Sequence, residues 1–176
     1  TPPDRYRHKC QGGRSMSRPL VQWEHRPYTG THTELARVRA DLAHDLAGFP
    51  PDLIDTLHLC VTELFTNTVK YTHTGTEDGQ VLRTLCLPDP HTLHLSTSDS
   101  GGSGSTPRIP TERSTQEWDW AEGQRGLLLV EALATTWGHH RLAPWADLGT
   151  NVWATFTLDP DTIPPGLAPY VFTRST

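Results

Sequence analysis

The stretch ELFTNTVKYTHTG, which begins at Glu63, sets an acid, an amide and a base (Glu63, Asn67 and Lys70) at offsets of four and three. That spacing brings all three to one side of an α-helix. Most polar rows of this kind are solvated helix faces, yet this one runs beside Leu64 and Val69, which the helix has to bury. The trio has the makings of phosphoryl chemistry. An amide oxygen is a neutral ligand for Mg²⁺, a cation that takes oxygen donors and leaves much of its shell to water and phosphate. A carboxylate left free of the metal can accept a proton from an attacking hydroxyl or water. A lysine one turn beyond the amide adds positive charge near a phosphate.

Two other stretches could join it. In SDSGGSGS (98–105), Asp99 closes a predicted strand and runs into Gly101, Gly102 and Gly104. Glycines there allow close approach to a ligand or a positive φ. A flexible Gly/Ser loop would explain the composition as well, but not a carboxylate at the strand end. In EGQRGLLLV, Gly123 and Gly126 flank the start of a predicted helix, with Arg125 between them. Free backbone N–H groups and the helix dipole make such a start suitable for phosphate.

Periodicity supplies the elements that must position these residues. LVQWEHRPY (20–28) reads as an edge strand. THTELARVRADLAHDLAGF repeats Leu35, Val38, Leu42 and Leu46 at threes and fours, with Thr33 as N-cap and Gly48 near the stop. Pro50 and Pro51 start a second helix with a stripe of Leu53, Leu57, Val61 and Leu64, closed by HTG at 73–75. Strands at 80–87 and 91–98 form a hairpin around the turn PDP. Residues 100–122 form a long Gly/Ser/Pro-rich loop containing Trp118 and Trp120, an aromatic pair suited to a contact surface or to pinning the loop. A third helix is expected over 125–138, with Leu128, Leu129, Ala132 and Leu133 inward, followed by a closing antiparallel pair that includes 150–158. The predicted fold class is α+β: a two-layer sandwich whose mixed, mostly antiparallel sheet carries its helices on one face. Residues 1–18 read as a disordered N-terminal extension, 19–159 as the folded domain and 160–176 as a Pro-rich irregular tail.

Bulk properties narrow the function classes. A chain of 176 residues can bury the core of one domain, and a net charge of −5 with no basic block disfavours non-specific nucleic-acid binding. No apolar run reaches the length of a membrane span. Cys10, Cys60 and Cys86 lack metal-like spacing and read as free thiols of a reducing, cytoplasmic compartment. The histidines, His139 and His140 included, show no helical His pair, which makes a zinc site a poor reading.

In this order the stretches resemble the histidine-kinase-like (GHKL, Bergerat-fold) ATPase superfamily, and more closely the small anti-sigma-factor serine kinases of actinobacteria. TELFTNTVKYT resembles the asparagine box, SDSGG the Asp-x-Gly box, GQRGLLLVEALATTWG the second glycine box, and GTNVWATFTL the closing strand with its Gly-x-x-Val-Trp pattern. The resemblance covers roughly residues 20–158. It implies ATP and Mg²⁺ as cofactors, with Glu63 as general base and Asn67 as metal ligand. It implies Asp99 accepting from the adenine amino group, Gly101 letting the base lie close, and Thr150 supporting that contact. The loop 100–122 becomes an ATP lid, while Gly123, Arg125 and Gly126 hold phosphates through their backbone and Lys70 adds charge.

Two positions depart from the family pattern. Gln124 stands where the first glycine of Gly-x-Gly is expected, and Tyr71 where the family often has His. A Cβ at 124 can obstruct backbone approach to phosphate. The implied partners are a sigma factor and a STAS-type anti-anti-sigma protein, with a homodimer allowed and no direct contact with nucleic acid or membrane. No dimerisation helix with a phosphoacceptor His precedes the ATP domain in this sequence, which favours the serine-kinase type over a sensor kinase. The alternative is a catalytically degenerate nucleotide-binding interaction module.

Overall fold

The structure is a computed structural model and describes residues 19–71, 79–99, 124–141 and 149–167. The expectations for 1–18, for the lid at 100–122 with Gly101, Trp118 and Trp120, and for Gly123 lie outside those residues.

The elements run β1 (Val21–Gln22), β2 (Arg26–Thr29), α1 (Leu35–Asp45), α2 (Pro51–Tyr71), β3 (Gln80–Asp89), β4 (Thr92–Asp99), α3 (Gln124–Leu133), β5 (Thr136–Arg141) and β6 (Thr150–Thr157). The sheet has six strands in the order β1-β3-β4-β6-β5, with β2 also paired to β3. Every described pair is antiparallel; β3 and β4 form a hairpin, while helices intervene in the chain between β2 and β3 and between β4 and β6. The fold is therefore α+β, an antiparallel sheet with three helices.

The core lies between sheet and helices. Val38, Leu42 and Leu46 of the first predicted stripe and Leu57, Val61 and Leu64 of the second are fully buried. They meet Leu85, Leu87, Leu93, Leu95 and Ala154 of the sheet, all helix-facing by the period-2 alternation of strands. Beyond β6, a 3₁₀ turn at Pro160–Thr162 starts with Asp159 accepting from the Asp161 N–H, and Ile163 and Leu167 pack on the core.

Four local expectations need correction. The segment 20–28 is two short strands, both on the same edge of β3, because residues 23–25 leave the ladder. Thr33 is not the N-cap of α1. It lies inside a 3₁₀ turn, His32–Glu34, capped by Thr31, and Glu34 precedes α1. The third helix stops at Leu133 rather than at 138, because Thr136–Arg141 pairs with β6. Three of the five residues from Thr135 to His139 are Thr or Trp, types that suit a strand. The inward face of that helix is also rotated from expectation. Val130 is fully buried and Leu133 is packed on the core, while Leu128 is 56% exposed and Ala132 is exposed.

Cys60 is free and buried, as expected. Cys86 is disulfide-bonded, with its partner outside the described residues, so the reading of three free thiols does not hold. No helix among the described residues is long and apolar enough to cross a membrane.

A buried ionic cluster ties α1 to the sheet edge. Asp45, at the end of α1, accepts from Arg26 Nε at 2.9 Å and Nη2 at 2.6 Å, and also from Nη2 of fully buried Arg83. Burial alone would raise the Asp45 carboxyl, but the hydrogen bonds from Arg26 and Arg83 overcome this and hold it below the usual carboxylate range. Trp23 Nε1 donates to the Asp45 carbonyl at 2.9 Å, and Tyr28 donates to Asp41 at 2.9 Å.

Candidate functional site

α2 packs against α3 and β4, which carry the other two stretches. Glu63 and Asn67 are half-buried and Lys70 is exposed, an order that follows the helix out of the core. Their neighbours Leu64, Phe65 and Thr68 are buried, so the row lies at the border of the packed face.

α3 reaches Glu63 through Gly126. A Cβ built on Gly126 would stand 2.1 Å from Glu63 Oε2 and 3.1 Å from its Cδ. Only a residue without a Cβ lets the first turn of α3 come this near the carboxylate. The helix itself begins at Gln124, so Gln124, Arg125 and Gly126 form that turn. Their N–H groups are among those that have no acceptor within a helix.

The opposite end of the site is the end of β4. Asp99 is its last residue, half-buried, with Val81 across on β3. On the other side Ser98 pairs with Asn151, so the next antiparallel step sets Thr150 beside Asp99. Gly149 precedes it at φ +96°, and a Cβ there would lie 2.3 Å from the Asp99 carbonyl oxygen. In the sequence Gly149 stands only as the first residue of the Gly-x-x-Val-Trp pattern, with no role in the site assigned to it. Its signal was present, since GTNVW opens a strand with a glycine, but the need for a positive φ against a neighbouring carbonyl belongs to the fold.

Two buried threonines join these ends. Thr68, next to Asn67, has its hydroxyl 2.7 Å from that of Thr97, two residues before Asp99, and 2.9 Å from the Leu64 carbonyl. Thr97 Oγ1 lies 3.1 Å from the same carbonyl, so the two hydroxyls alternate, one donating to the carbonyl while the other donates to its neighbour. Sequence reasoning missed them, although Thr97 stands in the inward register of Leu93 and Leu95, where an apolar residue is the norm.

The structure thus brings together Glu63, Gly126 and the backbone of α3 at one end, and Asp99, Gly149 and Thr150 at the other, with Asn67 on the helix between. A family comparison decides what this arrangement belongs to: the histidine kinase-like ATPase domain matches residues 28–156. The chain belongs to that family. No curated protein matches it.

Membership of the histidine kinase-like ATPase family implies a nucleotide, typically with Mg²⁺, and the donors present fit that group. The amide oxygen of Asn67 is a hard, neutral ligand, suited to a cation that keeps water and phosphate in most positions. Among the described residues no three His, Cys, Asp or Glu side chains gather into a metal cluster. Asn67 would hold the ion, the first turn of α3 would face phosphate with its N–H groups, and Asp99 would accept from the base. The Glu63 side chain lies along Gly126, with Oε2 its nearest atom to that turn.

The neighbouring thiol is set aside by its surroundings. Burial, with the negative charge of Glu63 added, pushes Cys60 up to about 11, so it stays protonated and inert.

Proposed function

We propose that the chain is an ATP-binding regulator of the anti-sigma type, which sequesters a sigma factor and binds, or phosphorylates on Ser or Thr, a STAS-type anti-anti-sigma partner. Support for the nucleotide part comes from the contact of Gly126 with Glu63. It sets a carboxylate and the free N–H groups of a helix start side by side, as transfer of a phosphoryl group needs. Support for the regulatory part comes from the order and spacing of the four sequence boxes.

Bound MgATP would supply the γ-phosphoryl group, leaving ADP behind. Asn67 would hold the metal through its amide oxygen. Glu63 accepts the proton of the partner's hydroxyl at its carboxylate, and the α3 N–H groups take up charge on the phosphate. Asp99, fixed against Gly149 and beside Thr150, orients the base. Lys70, exposed at the end of α2, adds positive charge on the solvent side.

A second reading has its own observation. The first residue of α3 is Gln124, so a Cβ stands in the turn where the family pattern has glycine. This favours a module that binds nucleotide and partner without efficient transfer. Transfer of label from γ-labelled ATP to serine-bearing anti-anti-sigma proteins separates the two. The kinase reading expects label from the wild type and loss of about 10²–10⁴ in rate with Glu63→Gln, nucleotide binding retained. A wild type that binds ATP and partner but transfers nothing, and gains transfer with Gln124→Gly, establishes the module. Equal transfer by wild type and Glu63→Gln rejects the base.

A further inference from the structure

We propose that Thr97 is a positioning residue for the nucleotide site: with Thr68 it grips the Leu64 carbonyl and so sets the spacing between the metal-and-phosphate end and the base end. The inference rests on the nucleotide reading above.

The knot is fully interior. Thr68 is 2% exposed and Thr97 0%. Two hydroxyl protons serve three contacts: 2.7 Å between the hydroxyls, and 2.9 and 3.1 Å from them to the Leu64 oxygen. One proton goes to the carbonyl and the other lies between the hydroxyls, in either sense.

Its place in the chain gives it leverage. Leu64 follows Glu63, and Thr68 follows Asn67, so the α2 side of the knot is the turn that carries the metal ligand and the carboxylate. Thr97 precedes Asp99 by two on β4, on the same face of the strand. One set of hydrogen bonds therefore joins α2 to β4 through the core.

The surroundings explain why hydrogen bonds are needed there. Across the sheet Thr97 pairs with Val152 of β6 and with Arg83 of β3, a buried side chain held by Asp45 of α1, and the core that Thr97 joins includes Val61, Leu64, Phe65, Leu95 and Ala154, all apolar and buried. Apolar contact is non-directional and tolerates a small slide of a helix on a sheet. A hydrogen bond at 2.7 Å fixes direction and distance. Valine would fill nearly the volume of threonine at either position, so the core does not need hydroxyls for packing. A ligand that touches both ends gains from the second contact only when their separation is held.

The test titrates the full chain with MgATP, which engages both ends, and with adenosine, which engages the base end alone. It uses wild type, Thr97→Val, Thr97→Ser and the double variant Thr68→Val/Thr97→Val, with thermal melts alongside. Thr97→Val is expected to weaken MgATP about tenfold while adenosine changes less than twofold, and Thr97→Ser to restore MgATP. Removing both partners leaves no orphaned hydroxyl, so the double variant should recover stability lost by the single one. Its MgATP affinity should stay low. A Thr97→Val protein that binds MgATP as the wild type does overturns the proposal. So does a loss that falls equally on both ligands, or one that returns with stability in the double variant. A wild type that binds neither ligand removes the nucleotide reading itself, before any substitution is made.

Discussion

Gly126 lies so close to Glu63 that a Cβ on the glycine would stand 2.1 Å from the carboxylate Oε2. The group it would strike is the far end of a flexible side chain. Gly126→Ala should therefore leave the fold in place, aided by the better helix propensity of alanine (about 1 kcal/mol). It should turn the carboxylate away from the first turn of α3. The expected outcome is a melting temperature at or above that of the wild type, with phosphoryl transfer reduced toward the level of Glu63→Gln. Single-turnover assays beside thermal melts check this, and wild-type turnover in Gly126→Ala would contradict it.

Gly149 presents the opposite case. Its φ of +96° disfavours any side chain, and the atom a Cβ would meet at 2.3 Å is the backbone oxygen of Asp99. Neither can yield cheaply. Gly149→Ala should lose about 1–3 kcal/mol from backbone strain alone. Urea unfolding measures it, and a variant as stable as the wild type would show that β4 and the start of β6 approach less closely than described.

Much of this was legible in the residues, and the illegible part has physical causes. Stripes such as Val38–Leu42–Leu46 and Leu57–Val61–Leu64 place α1 and α2 because a helix must bury one face. The hairpin of β3 and β4 follows from alternation, although its turn is Pro90–His91 and Pro88 and Asp89 of the expected turn PDP belong to β3. The same reasoning failed on α3. Leu127, Leu128 and Leu129 are consecutive, so several helical faces look apolar, and only the approach of Gly126 to Glu63 selects the one that turns Val130 inward. The roles of Thr97 and Gly149 were missed because they depend on partners far along the chain, Thr68 for the one and Asp99 for the other.

His94 gives stability a pH dependence of its own. It is 4% exposed, stacked on Trp153 with ring centroids 5.8 Å apart, and its Nδ1 has no hydrogen-bond partner. Burial, with the charge of His140 added, pulls it down to about 4 from an ordinary 6.5. Above pH 6.5 the ring is neutral in the folded and unfolded chain, and this contribution is fully present. As pH falls from 6.5 toward 4, only the unfolded chain takes up the proton, so stability declines by roughly 3 kcal/mol. His94→Phe keeps a stacking ring without a titrating group and should flatten that window. Denaturant midpoints from pH 7 to pH 4 measure the effect, and parallel curves for the two proteins would reject it.

The Asp45 cluster should act at lower pH and with larger mutational cost. A carboxyl held below its ordinary range stabilises the fold above that range, and the contribution is lost as pH falls through the folded value. Asp45→Ala leaves Arg83, fully buried, without its partner and should cost about 3–5 kcal/mol. Asp45→Leu combined with Arg83→Met removes both charges and should recover much of that. Chemical denaturation of the single and double variants decides, and a double variant as weak as Asp45→Ala would contradict the cluster's assigned role.

The central claim is that the helix carrying Glu63 and Asn67 and the strand end carrying Asp99 form the two ends of one nucleotide site. Calorimetric titration with ATP, in the presence and absence of Mg²⁺, tests it most directly on wild type, Asn67→Ala and Asp99→Ala, with each fold checked by circular dichroism. The expected result is Mg²⁺-dependent binding by the wild type, loss of the Mg²⁺ dependence in Asn67→Ala and a large loss of affinity in Asp99→Ala, all three proteins remaining folded. Equal affinity and equal Mg²⁺ dependence in the three would contradict it.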